Sequence, residues 1–123
     1  LDAVLDAAED AADLLFDVRF LPNPHFDPAL RPLSGLDEPV REFLRQRTDF
    51  QELLGRLADL LRFLLPRYQQ ENRSYLTVGI GCTGGQHRSV ALVEALAAEL
   101  ASRLDAANWT VRVKHRDLER LRP

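Results

Sequence analysis

The chain has 123 residues, 46% hydrophobic and 28% charged, with 16 basic against 19 acidic side chains for a net charge of −3. That fits one globular domain with one modest core and excludes collagen-like, disordered and disulfide-scaffold classes. No apolar run is long enough to span a bilayer, residues 1–16 lack the basic start of a secretory signal, and the lone cysteine, Cys82, has no disulfide partner, so a reducing cytoplasm is the expected location.

Residues 1–13 are Ala-rich and acidic and predict an additional N-terminal amphipathic helix. Residues 14–21 (LLFDVRFL) alternate like a strand, with Asp17 and Arg19 on one face and Val18 and Phe20 on the other. Pro22, Pro24, Pro28 and Pro32 make residues 22–36 an irregular loop, long enough to be a candidate for function. Asp37 reads as the N-cap of a helix reaching about Gln46. Thr48 and Gln51 form a capping-box pattern opening a longer helix, which Pro66 should end or kink. Residues 74–81 (SYLTVGIG) predict a strand, residues 88–104 a helix with an apolar stripe, and residues 109–115 (WTVRVKH) a last strand. This order is the grammar of an α/β domain: a small, mainly parallel sheet flanked by helices in a three-layer sandwich. Three strands make a thin sheet, so a fourth is expected from elsewhere in the chain or from a partner.

The segment GCTGGQHRS, residues 81–89, falls between a predicted strand and a predicted helix, where open α/β sheets bind ligands. Gly84 and Gly85 allow a tight backbone turn whose N–H groups converge on an anion, and the following helix adds its own unpaired N–H groups. Arg88 can clamp two anion oxygens, with Thr83, His87 and Ser89 close by. Two chemistries fit. In one the loop binds a phosphate without reaction, and Cys82 is a small buried residue. In the other, the Cys-x5-Arg-Ser spacing makes Cys82 the nucleophile of a cysteine phosphatase and Arg88 the clamp on the transferring group. That reading also needs a general acid, for which Asp27 and Asp37 are available, and Gly81 stands where such enzymes usually carry His.

Asp17 and Arg19 lie at the C-terminal end of the first predicted strand, and His25 follows in the proline-rich loop. Arg19 suits an anion; Asp17 suits hydroxyl or ammonium groups. A ligand carrying phosphate together with amino and hydroxyl groups, such as an amino-sugar phosphate, matches the set. The acidic residues Asp2, Asp6, Glu9, Asp10, Asp13 and Asp17 are balanced at the other end by Arg112, Lys114, Arg116, Arg120 and Arg122. That interrupted basic run can meet nucleic-acid phosphates, although a solvated face is the commoner meaning.

The segments DVRFLPNPHF (residues 17–26), LRPLSGLDEPV (30–40), NRSYLTVGIGCTGGQHRSV (72–90) and VKHRDLE (113–119) closely resemble the C-terminal domain of the RapZ family of bacterial RNase adapter proteins, also called YvcJ-type nucleotide-binding proteins. The resemblance runs in order over nearly the whole chain, so residues 1–123 are expected to form one such domain. It implies binding of a phosphorylated metabolite, glucosamine-6-phosphate in the best-studied members, at Asp17, Arg19, His25, Cys82, Thr83, Gly84, Gly85, His87 and Arg88. It also implies contacts with small RNAs and an RNase and homo-oligomerisation, and it lowers the phosphatase reading to the alternative; no metal or cofactor is expected. The sequence has no G-x-x-x-x-G-K-[ST], so the nucleotide hydrolysis of the family's other domain is not assigned to this chain.

Overall fold

A computed structural model of the chain describes residues 2–6, 13–71, 75–81, 87–103 and 110–114. Strand β1 (Asp2–Asp6) is followed by β2 (Leu14–Asp17), a 3-10 turn (Pro24–Phe26), α1 (Glu38–Arg45), α2 (Thr48–Gln70), β3 (Tyr75–Gly81), α3 (Arg88–Arg103) and β4 (Thr110–Lys114). The strands form one four-stranded sheet in the order β2-β3-β1-β4. Every pairing is parallel, as strands joined by helical crossovers must be.

The fourth strand is β1, in place of the helix expected over residues 1–13. Asp2–Asp6 pairs with β3 on one side and β4 on the other. Two ladders of backbone hydrogen bonds outweigh the helical bias of a short alanine-containing segment. On β3, Leu76, Val78 and Ile80 are fully buried and join one core with Leu57, Leu61 and Leu65 of α2 and Leu92, Leu96 and Leu100 of α3. On β2 the alternate residues Leu15 and Asp17 are exposed. The described strands and helices make the small α/β domain expected, a parallel sheet with helices packed on it through one shared core.

Local details also depart from expectation. β2 stops at Asp17, and the Leu21 amide turns back to the Val18 carbonyl at 3.1 Å. Thr48 makes no capping box: the N-cap is Arg47, and the Gln51 side chain donates to the Arg45 carbonyl at 3.0 Å, tying α2 to the end of α1. Asp37 is the N-cap of α1, but its carboxylate accepts from the Ser34 amide at 2.8 Å. α2 runs through Pro66 to Gln70. Leu61 and Leu65 are fully buried before the proline and Tyr68 packs on the core after it, so tertiary contacts carry the helix past a residue that breaks isolated ones.

Candidate functional site

The site expected from the sequence lies where β2 and β3 end together. Asp17 is in register with Gly81, and the Val18 amide donates to the Gly81 carbonyl at 2.8 Å. The DVR segment is thereby fixed beside the residue that leads into the glycine loop. Cys82, Thr83, Gly84 and Gly85 lie outside the described residues; His87, Arg88 and Ser89, at the start of α3, lie within them.

His87, Arg88 and Ser89 are all buried. The Arg88 Nη1 donates to the main-chain carbonyls of Arg19 at 2.6 Å and Leu21 at 3.2 Å. Its guanidinium thus holds the turn after β2 onto the start of α3, and an anion at this arginine has to be met by its remaining nitrogens. His87 Nε2 lies 3.2 Å from the Leu30 carbonyl, an acceptor that requires the proton on that nitrogen. Two residues expected to touch a ligand therefore fasten main chain at the start of α3.

The proline-rich segment packs over the same helix start. Its backbone is held locally: the Asn23 side chain accepts from the His25 amide at 3.1 Å, Asp27 from the Ala29 amide at 2.9 Å, and Arg31 donates to the His25 carbonyl at 2.8 Å. Leu21 and Leu30 anchor it in the core. At Gly35 an added Cβ would collide with the backbone nitrogen of Ala91 and the carbonyl oxygen of His87, so only glycine permits the loop to lie this close to α3. The His25 ring sits 6.4 Å from the His87 ring, centroid to centroid, which brings the loop histidine to the helix start.

Asp17 and Arg19 are exposed and paired with each other. Arg19 Nε lies 2.9 Å from one carboxylate oxygen and Nη2 2.6 Å from the same oxygen, while the Arg19 amide donates to the other at 2.9 Å. These bonds hold the Asp17 carboxyl below its ordinary value: the Arg19 side chain contributes most, then the Arg19 backbone, with smaller attractions to Arg19 and Arg88. With Leu15, Phe16 and Gly81 the pair lines a cavity of 210 Å³. Of this lining, Leu15 and Phe16 were not among the residues expected from sequence, although Leu15 shares the parity of Asp17 and Arg19 in LLFDVRFL; Gly81 opens the GCTGGQHRS segment.

A second cavity of 190 Å³ lies between α1 and α3, where Arg41 and Glu94 approach to 4.0 Å, and it involves none of the expected site residues. Of the basic run, Arg112 and Lys114 fall on β4, an edge strand; Arg116, Arg120 and Arg122 lie outside the described residues. Among the described residues no cluster of three or more potential metal ligands occurs, and no helix is long and apolar enough to cross a membrane.

The described residues form a parallel α/β domain with charged and imidazole side chains at the C-terminal edge of its sheet, the edge at which open α/β sheets bind ligands in general. Comparison with known proteins gives the family: the profile of the RapZ C-terminal domain matches residues 5–119. The chain belongs to that family. It is 55% identical over 107 residues to a "Nucleotide-binding protein" of Rubrobacter xylanophilus, covering 87% of this chain and 35% of the relative. It is 55% identical over 109 residues to one of Geobacter metallireducens, covering 89% and 37%. A third such protein, from Anaeromyxobacter sp. (strain K), is 57% identical over 109 residues, covering 89% and 36%. The chain thus spans little more than a third of the length of these relatives.

Proposed function

We propose that this domain is a non-catalytic sensor of a phosphorylated amino sugar, of the glucosamine-6-phosphate kind, bound between the Asp17–Arg19 pair and the GCTGGQHRS segment. The observation that carries the reading is the register of Asp17 with Gly81. It sets a carboxylate and a guanidinium on the rim of a 210 Å³ cavity that Gly81, the residue before the glycine-rich segment, also lines. Arg19 and the N–H groups of the loop and helix start supply donors for a phosphate, and Asp17 accepts from an ammonium or hydroxyl group. Because the Arg88 Nη1 is committed to two main-chain carbonyls, the arginine suits holding the site together better than following a phosphoryl group in transit. This favours binding over the phosphatase chemistry that the Cys-x5-Arg-Ser spacing allows.

Thermal unfolding with a panel of sugar phosphates tests the reading. A ligand at 100 times its dissociation constant raises folding stability by about 2.7 kcal/mol. Glucosamine-6-phosphate should shift the transition more than glucose-6-phosphate, glucosamine or phosphate alone. Asp17→Ala should abolish the preference for the amino sugar, and Arg19→Ala should weaken all phosphorylated ligands. No shift with any sugar phosphate removes the proposal. Hydrolysis of an aryl phosphate that Cys82→Ser abolishes would replace it with the phosphatase.

Contacts with small RNA and an RNase, the nucleotide binding in the relatives' names, and a cytoplasmic location rest on the family relationship. Arg112, Lys114, Arg116, Arg120 and Arg122 are the proposed RNA-facing residues. RNA affinity that falls steeply with salt and is lost when all five are replaced supports that face; affinity indifferent to their replacement excludes it.

A further inference from the structure

The cavity between α1 and α3 exists because of what α3 presents there. Protein interiors hold few voids larger than a water molecule, yet this one measures 190 Å³. Ala91, Ala95 and Ala98, spaced four and three residues apart, place only methyl groups along one side of α3. The buried ring of Phe50, from the first turn of α2, makes a second apolar wall. Arg41 of α1 and Glu94 of α3 complete the lining, with Arg45 one turn beyond Arg41. An apolar cavity of about 150 Å³ takes up benzene, so this volume holds a ring and one small polar substituent.

The charges at the cavity decide which substituent fits. Arg45 is already met by Glu38 at 3.3 Å and Glu42 at 2.7 Å, so the balance rests on Arg41 and Glu94. Their nearest atoms, Nη2 and Oε2, are 4.0 Å apart, too far for a direct hydrogen bond. Arg41 is held by its Nε, which donates to the Gly35 carbonyl at 3.0 Å, and this orients its terminal nitrogens in advance. An anion in the cavity would meet the Glu94 carboxylate, and a cation would meet Arg41. A neutral group that accepts from Arg41 and donates to Glu94 suits both at once, and a carboxamide carries that acceptor and that donor side by side. We propose that this cavity is a ligand site for a small neutral aromatic carboxamide, separate from the site at Asp17 and Arg19. The ring lies against Phe50 and the three alanines, and the carboxamide bridges Arg41 and Glu94.

Titration with benzamide, followed through the backbone amides by NMR, tests the proposal, with circular dichroism confirming the fold of each variant. The shifts should gather at Arg41, Ala91, Glu94, Ala95 and Ala98, leave Asp17 and Arg19 unmoved, and saturate with a dissociation constant on the order of 1 mM. Benzoate and benzylamine, similar in size but charged, should bind at least about tenfold more weakly. Glu94→Gln removes the carboxylate and leaves Arg41 unbalanced, so it should turn the preference round to benzoate. Ala95→Leu fills the cavity and should abolish the shifts. A chain whose amides do not respond to benzamide at ten times that concentration overturns the proposal and leaves the cavity a packing defect. Shifts that survive Ala95→Leu in a folded chain overturn the location. Benzoate bound as tightly as benzamide, or a preference unchanged by Glu94→Gln, overturns the bridge between Arg41 and Glu94.

Discussion

Arg88 and Arg19 lie close together and make opposite use of the same side chain. Arg88 is buried and donates to the carbonyls of Arg19 and Leu21, so its hydrogen bonds hold main chain to main chain across 69 residues of sequence. Arg19 is exposed and bonds to Asp17, two residues away. A buried guanidinium is retained where several acceptors surround it, while an exposed pair contributes little to stability and exchanges readily for other partners. The contrast separates a buried frame from an exposed pair, and on the proposed function it is the pair that a ligand would engage.

The sharpest way to break the comparison is to remove the buried arginine. Arg88→Leu leaves two carbonyls without their charged donor and should cost about 3 kcal/mol of folding stability, measured by urea unfolding. A cost as small as that of Arg19→Gln would show that the frame lies elsewhere. Because Arg88→Leu loosens the turn after β2, its effect on affinity reports folding as well as contact, and Asp17 and Arg19 are the cleaner probes of binding.

Gly35→Ala tests the same frame from the loop side. The new methyl group meets backbone of α3, which cannot turn aside as a side chain can, so about 2 kcal/mol of stability should be lost. His87→Phe keeps the ring and removes the bond to Leu30; it should cost about 1 kcal/mol. Both variants should bind sugar phosphates more weakly in proportion to their loss of stability. Loss of binding at full stability would mean that His87 contacts the ligand itself.

The sequence makes one half of this comparison visible and hides the other. Alternation in LLFDVRFL puts Asp17 and Arg19 on one face, and they do stand together at the strand's end, paired. The glycine-rich segment between β3 and α3 marks the neighbouring edge, and a parallel sheet joins the two. What alternation cannot reveal is that Arg88, placed like an anion clamp, closes on carbonyls 67 and 69 residues earlier. Such a contact depends on how the proline-rich segment folds back, and no local period encodes that. The same limit explains β1. Asp-Ala-Val-Leu-Asp has no strong preference of its own, and its strand state comes from β3 and β4, more than 60 residues away. Pro66 shows the reverse: a strong local signal for termination yields to the packing of Leu65 and Tyr68.

The smallest effect sharpens the exposed side. In the folded chain the Asp17 carboxyl is held below its ordinary value, chiefly by the Arg19 side chain and then by the Arg19 amide. A lowered folded-state value means that whatever the pair contributes to stability is present at neutral pH. That contribution is lost as the pH falls through the folded value, and solvent exposure keeps it minor. The melting temperature is therefore the wrong readout, and the carboxyl titration followed by carbon NMR is the right one. Its midpoint should lie below that of an unperturbed aspartate. Arg19→Gln should raise it only part of the way, because the amide of residue 19 still donates to Asp17 whatever side chain follows. A midpoint unmoved by Arg19→Gln would mean that the pair does not form in solution, and Asp17 would then meet a ligand without first releasing a partner.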